Sequence, residues 1–190
     1  MAEKNNVLSL VRIVAVLTLI CTLVALLLSG VYAMTNEVYE QNILRVKQAA
    51  IAALFDLETV ETEALDLTLD MEIEEAYRVT DSGVLLGYCA NVKSAGFGGD
   101  IDMMVAIDPN GTVLGVKIVS MSETPGLGSR VGTAAHLSQY EGIGASDAPV
   151  LGEDVDAVSG ATVSSRAVNA GVNRALRALL FYQTLGEEMP

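Results

Sequence analysis

From Ile13 to Asn36 the chain runs for 24 residues without an acidic or basic side chain. A hydrocarbon core about 30 Å thick is crossed by about 20 helical residues, and Ile13 to Met34 supplies 22. The stretch predicts a membrane-spanning helix. Its rival is a cleaved secretory signal, because Lys4 and Arg12 form a basic start and Val31-Tyr32-Ala33 passes as a small-residue cleavage site. Signal cores usually hold about 7–15 apolar residues, so length favours an anchor. Cys21 lies in mid-span, which disfavours a lipoprotein signal. Lys4 and Arg12 precede the span while Glu37 and Glu40 follow it. This bias predicts a cytoplasmic N-terminus and places the remainder outside the cytoplasm.

Composition sharpens the division. Mean hydropathy is +0.43, yet the chain carries 24 acids against 11 bases, a formal net charge of −13. Only Glu3, Lys4 and Arg12 precede the apolar run, so residues 37–190 hold 23 acids and 9 bases. That part has the size of one ordinary domain. A purely soluble enzyme is disfavoured, and so is a nucleic-acid partner, whose phosphates require clustered Lys and Arg. Cys21 and Cys89 lie too far apart for a CxxC motif or a thiolate metal cluster.

Along the domain, Ile43, Val46, Ala50, Ala53 and Leu54 recur at helical spacing and predict an amphipathic helix over 39–57. Asp56 to Glu75 then holds nine acids and no base. Such runs ordinarily just solvate; the alternative is a docking surface for a positive partner. The period changes over Val84–Val92, Ile101–Ile107 and Thr112–Val119, which predict strands of an antiparallel meander. Asp108-Pro-Asn-Gly111 is turn chemistry between two of them. A loop follows at 121–130, then a short helix over 130–140. Ser164 to Tyr182 predicts a helix packed on the sheet through Val168, Val172, Ala175, Leu176 and Leu179. The expected class is α+β, divided into 1–36 (cytoplasmic end and span), 37–82 (membrane-proximal helix and acidic segment) and 83–190 (core domain).

Immediately before the last helix stands Asp156-Ala-Val-Ser-Gly-Ala-Thr162. Small residues at a helix start leave backbone N–H groups around one point, where the helix dipole favours an anion. A phosphate suits that position, bound or esterified to the Thr162 hydroxyl; alternatively Thr162 or Ser164 merely caps the helix. Other motifs fail. No Gly-Lys-Ser/Thr tripeptide supports a P-loop, and Gly126, Gly128 and Gly132 are spaced one residue too long for a dinucleotide fingerprint. His136, the only histidine, has no sequence-evident triad partners and is expected on a surface or helix face. The carboxylates lack the spacing of a calcium loop. Cys89 is expected as a buried, inert thiol.

The 156–162 segment resembles the flavinylation motif of FMN-binding domains, in which a threonine carries flavin mononucleotide as a phosphoester. Glu123-Thr-Pro-Gly-Leu-Gly128 resembles a loop of the G subunit of the Rnf electron-transport complex. Ala106 to Lys117 resembles the preceding hairpin, and Ser138 to Gly142 a further segment of that family. The resemblance implies FMN on Thr162, attached by a flavin transferase, with Asp156, Ser159, Gly160 and Ala161 as the recognition motif. It also implies that Glu123, Thr124, Pro125, Gly126, Leu127 and Gly128 flank the flavin. The implied setting is a cell-membrane complex that couples ferredoxin oxidation to NAD reduction and moves sodium ions or protons, with other membrane and peripheral subunits as partners. The C subunit of the sodium-translocating quinone reductase is related but generally longer, so length favours the Rnf form.

No catalytic triad is needed in such a relay, since a flavin supplies its own electron chemistry. Acidic surface near the ring, Glu123 included, is expected to disfavour an anionic reduced flavin. Two other classes stay open on the residues alone: a non-redox anchored interaction module, and a stand-alone anchored reductase.

Overall fold

A computed structural model describes residues 2–57, 60–65, 73–144 and 147–188. Much of the acidic run, 58–59 and 66–72, lies outside the described residues. Two compact units divide between Leu44 and Arg45.

The first unit is helical. Helix α1 runs unbroken from Ala2 to Leu54, so the expected span and the helix after it are one element. Leu17, Leu19, Leu23 and Leu27 are all exposed, so this stretch of the helix is apolar on every side. Thr18 and Thr22 donate their hydroxyls to the carbonyls four residues back, at 2.9 and 2.8 Å. Each hydroxyl is thereby satisfied within the helix itself.

The second unit is built on five antiparallel strands in sequential order: β1 (Glu61–Ala64), β2 (Glu75–Asp81), β3 (Val84–Ala95), β4 (Asp100–Ile107) and β5 (Val113–Met121). The three expected strands are present, each with slightly different ends. The acids of β1 and at both ends of β2 hide them from a sequence reading; β2 enters β3 through a two-residue turn at Ser82-Gly83. Between β4 and β5 the Asp108 carboxylate accepts from the N–H groups of Asn110 and Thr112, both at 2.8 Å, and Gly111 takes the positive φ of +78° that the turn chemistry allows.

Both faces of the sheet are covered. Ile101, Met103, Val105 and Ile107 of β4 pack against α3 (Thr162–Glu188) through Val168, Val172, Leu176 and Leu179. The alternate residues Met104 and Ala106 meet Ala50, Ile51 and Leu54 at the end of α1. Period-2 alternation thus divides β4 between two helical layers, and each fully buried aliphatic side chain contributes about 1.5–3 kcal/mol. The α3 stripe read from the sequence is the buried stripe. Helix and strand approach so closely at Gly171 that an added Cβ would lie 2.8 Å from Met103 Cε. Cys89 is fully buried, and desolvation pushes its thiol far above the ordinary range, as expected of an inert thiol.

One polar contact ties the end of α1 to the sheet, and a second, within β2, supports it. Lys47 Nζ and the Tyr77 hydroxyl both donate to Glu75 Oε2, at 2.9 and 2.7 Å. Between β5 and α3 the expected short helix is a series of three turns: a 3-10 turn Gly128–Gly132, the one-turn helix α2 (Ala134–Leu137) and a 3-10 turn Ser138–Tyr140. Here the reading of His136 is corrected. It is 4% exposed, because α2 is tucked inward and sets the imidazole edge-on to the buried Tyr140 ring at 6.2 Å.

Candidate cofactor site

Three chain segments meet at the start of α3: the β3–β4 turn, the loop after β5 and the 159–164 segment. They enclose a cavity of about 320 Å³, at the small end of the range for ligand sites. Phe97, Leu127 and Val163 line it and are 76%, 46% and 48% exposed. Large apolar side chains left open around one cleft mark a binding surface.

The buried link between the segments is Glu123, 7% exposed. Its Oε1 accepts from the N–H of Phe97 at 2.7 Å and of Gly98 at 3.3 Å, and Oε2 accepts from Ser164 Oγ at 2.9 Å. Glu123 therefore does not belong to an acidic surface facing a ring, as composition suggests. Its carboxylate is consumed in holding the walls together. Close backbone approach makes room for it: a Cβ at Gly96 would lie 2.1 Å from Oε1, and one at Gly128 2.3 Å from Oε2.

The 156–162 segment is held by Ser165, just beyond it in α3. Ser165 Oγ accepts from the N–H of Val158 at 3.0 Å and donates to the carbonyl of Ala161 at 3.1 Å, while the N–H of Ser165 closes the first helical bond to Ala161. Gly160 passes within van der Waals reach of Leu127, where a Cβ would stand 3.0 Å from Cδ1. Thr162 opens α3, is exposed, and its hydroxyl has no hydrogen-bond partner among the described residues. Ser164 is committed to Glu123 and Ser165 to the turn. Neither Thr162 nor Ser164 acts as the cap that local sequence allows.

Of the residues singled out in the sequence, Glu123, Thr124, Leu127, Gly128, Gly160, Ala161 and Thr162 line one cavity. Pro125, Gly126, Ser159 and Asp156 do not. Asp156 instead donates its backbone N–H to Gln139 Oε1 at 2.8 Å and lines a neighbouring hollow with His136 and Arg130. Sequence reasoning misses Phe97, whose signal is an aromatic set among Gly96, Gly98 and Gly99.

These residues fit a planar cofactor bearing a phosphate. Apolar side chains offer the ring a dry surface, the first turn of α3 offers N–H groups that have no intrahelical acceptor, and an unbonded hydroxyl stands at that turn.

Residues 96–177 match the FMN-binding domain. The matched stretch runs from the β3–β4 turn into α3 and takes in the whole lining of the cavity. One relative is the G subunit of the proton-translocating ferredoxin:NAD(+) oxidoreductase complex of Clostridium ljungdahlii, 26% identical, covering 93% of this chain and 95% of the relative. A second is the Na(+)-translocating counterpart of Acetobacterium woodii, 27% identical over 80% of this chain and 76% of the relative. The same fold is found in the C subunit of the Na(+)-translocating NADH-quinone reductase from Parabacteroides distasonis, with a TM-score of 0.55 at 16% identity over 76% of this chain and 93% of that one. NqrC of Shewanella oneidensis aligns with a TM-score of 0.50 at 23% identity, over 64% and 69%.

Proposed function

We propose that this chain is a membrane-anchored electron-transfer subunit of an ion-translocating ferredoxin:NAD oxidoreductase complex, carrying FMN as a phosphoester on Thr162. The observation that carries the reading is the Thr162 hydroxyl: exposed, unbonded among the described residues, and set at the first turn of α3 beside the cavity. Relatives named as the G subunit of such complexes, matched along most of their length, support the assignment to a complex.

FMN held there supplies one- and two-electron transfer. The chain's own residues do the positioning. N–H groups of the first turn of α3 stabilise the phosphate charge, which the helix dipole favours. Phe97, Leu127 and Val163 exclude water from the ring, and Glu123 fixes the walls against each other. Esterification to Thr162 keeps the cofactor from diffusing away. The apolar part of α1, long enough to cross a membrane, anchors the chain, and its basic N-terminal flank favours a cytoplasmic N-terminus. The flavin domain then lies on the extracytoplasmic side, with maturation by a flavin transferase.

The test is a denaturing gel of the chain produced together with a flavin transferase, read by flavin fluorescence and intact mass. The band survives denaturation in the unsubstituted chain and vanishes in Thr162→Ala. A fluorescent band that persists in Thr162→Ala overturns the attachment site.

A further inference from the structure

A second hollow, about 600 Å³, lies along the exposed side of α3 and shares Val163 with the cofactor cavity. Its charge is opposite to that of the chain. Arg166, Arg174 and Arg177 line it with no acidic residue among its lining, although the protein as a whole stands at −13. Spacings of eight and three residues put the three arginines on one side of the helix. Ala167 and Ala170, small side chains in the same lining, keep the space between them open.

The arrangement is built. Arg174 Nη2 donates to the carbonyl of Lys93 at 2.8 Å, which fixes its guanidinium on the edge of β3. Arg166 and Arg177 are exposed and form no ion pair among the described residues. Of the nearby acids, Glu74 pairs with Lys93 at 2.8 Å, and Asp102 is buried and accepts from Asn91. Asp100, opposite Ala95 in the sheet, is an exposed acid on the adjoining strand edge. Arg166 and Arg177 are therefore not neutralised by any described residue.

We infer that the Arg166–Arg174–Arg177 groove is the docking surface for a partner protein that presents a cluster of carboxylates, seated beside the cofactor site. This rests on the reading of Thr162 only for what the partner sits next to. Charge complementarity selects the partner: against the acidic remainder of this chain an acidic protein is repelled, and here it is attracted. Arginine forks recognise carboxylates bidentately. Val163, shared by the groove and the cofactor cavity, places an apolar side chain beside the arginines, as protein interfaces do beside a charged rim. A concave arginine groove suits protein carboxylates better than a lipid surface, which is met by a broad polybasic face.

Two measurements on the full chain test it. The first is binding of poly-L-glutamate, set against binding of phosphatidylglycerol vesicles, as ionic strength is raised. Poly-L-glutamate is expected to bind in low salt and to lose about tenfold in affinity in Arg166→Glu/Arg177→Glu, with no loss in Lys117→Glu, a reversal on exposed β5 surface. The second uses Arg166→Lys and Arg177→Lys in the purified membrane complex with a water-soluble carbodiimide. The reagent takes up the water lost as lysine Nζ and a partner carboxylate form an amide. Mass spectrometry is expected to find these lysines joined to Asp or Glu of another chain, and the products to disappear in high salt. Intrachain products alone, or no change on charge reversal, overturn the proposal. Vesicle binding that is lost on charge reversal without interchain amides overturns it in favour of a lipid surface. Gel fluorescence of each variant reports the flavin separately: its absence even from the unsubstituted chain refutes Thr162 and leaves the docking result standing.

Discussion

Ser164 Oγ donates to Glu123 Oε2 at 2.9 Å, and this one bond joins the loop after β5 to the first turn of α3. Through the other carboxylate oxygen the same side chain holds the N–H groups of Phe97 and Gly98. Three sequence-distant segments thus depend on a single buried acceptor.

Glu123→Ala leaves those two N–H groups and a serine hydroxyl without their acceptor in a buried place. The expected cost is about 2–4 kcal/mol in unfolding free energy, read as a lower denaturant midpoint. Glu123→Gln keeps one carbonyl oxygen for the N–H groups and turns a donor toward Ser164, whose hydroxyl can accept. Its cost is expected to be about 1 kcal/mol. Equal losses in the two variants refute the clamp.

Gly128 and Gly126 separate crowding from backbone strain. A Cβ at Gly128 meets Glu123 Oε2 at 2.3 Å, whereas one at Gly126 has nothing within 4 Å but sits at φ +74°. Gly128→Ala is expected to cost about 1–3 kcal/mol through overpacking and to reduce flavin retention with it. Gly126→Ala is expected to cost about 1–2 kcal/mol through its left-handed backbone alone and to retain flavin. Thermal unfolding with flavin fluorescence checks both.

Phe97 and Leu127 are expected to serve a ligand and not the fold. Truncating either to Ala, exposed as they are, is expected to change the stability of the flavin-free chain by less than about 0.5 kcal/mol. In the flavin-loaded chain the same changes open the ring to water, seen as stronger quenching by iodide. Unchanged quenching in both variants refutes their role as ring walls.

Acid lowers stability through His136, Glu75 and Asp108, the last held below its ordinary 3.8 because its burial is outweighed by hydrogen bonds from Thr112 and Asn110. Burial alone raises the Glu75 carboxyl, but the hydrogen bonds from Lys47 and Tyr77 outweigh it and hold the group below its ordinary 4.5. That stabilisation is complete above 4.5 and is lost as pH falls through the lower folded value. His136 is held below its ordinary 6.5 by burial. The unfolded chain therefore takes up its proton first, and stability declines as pH drops below 6.5. Chemical denaturation across pH is expected to show a decline beginning near 6.5 that His136→Gln removes, and a steeper one below 4.5 that Glu75→Gln reduces.

Much of the fold is legible in the sequence because its signals are local. The period-2 runs of β3, β4 and β5, the Asp108–Gly111 turn and the 3.6-residue stripe of α3 each follow from side chains near in sequence. β1 and β2 are not legible, since β1 is a short acidic edge strand and β2 begins and ends on an acid, so both look like part of a solvated run. His136 is misplaced by sequence for a related reason: a single turn such as α2 has too few residues to show which side is inward. At the site, Thr162 is legible from small residues before a helix. The clamp is not, because Glu123 and Ser164 stand 41 residues apart and nothing in either neighbourhood names the other.

The sequence by itself determined that an uncharged run of membrane-spanning length precedes an acidic α+β domain, and that a hydroxyl stands where a helix begins. Those are matters of hydropathy, period and the helix terminus. Only the tertiary structure decided that Phe97 joins the cavity, that Glu123 is a buried acceptor instead of surface charge, and that three arginines gather beside Val163 on an otherwise acidic protein. Burial and charge environment are set by which segments pack together, and that is a property of the assembled sheet and helices.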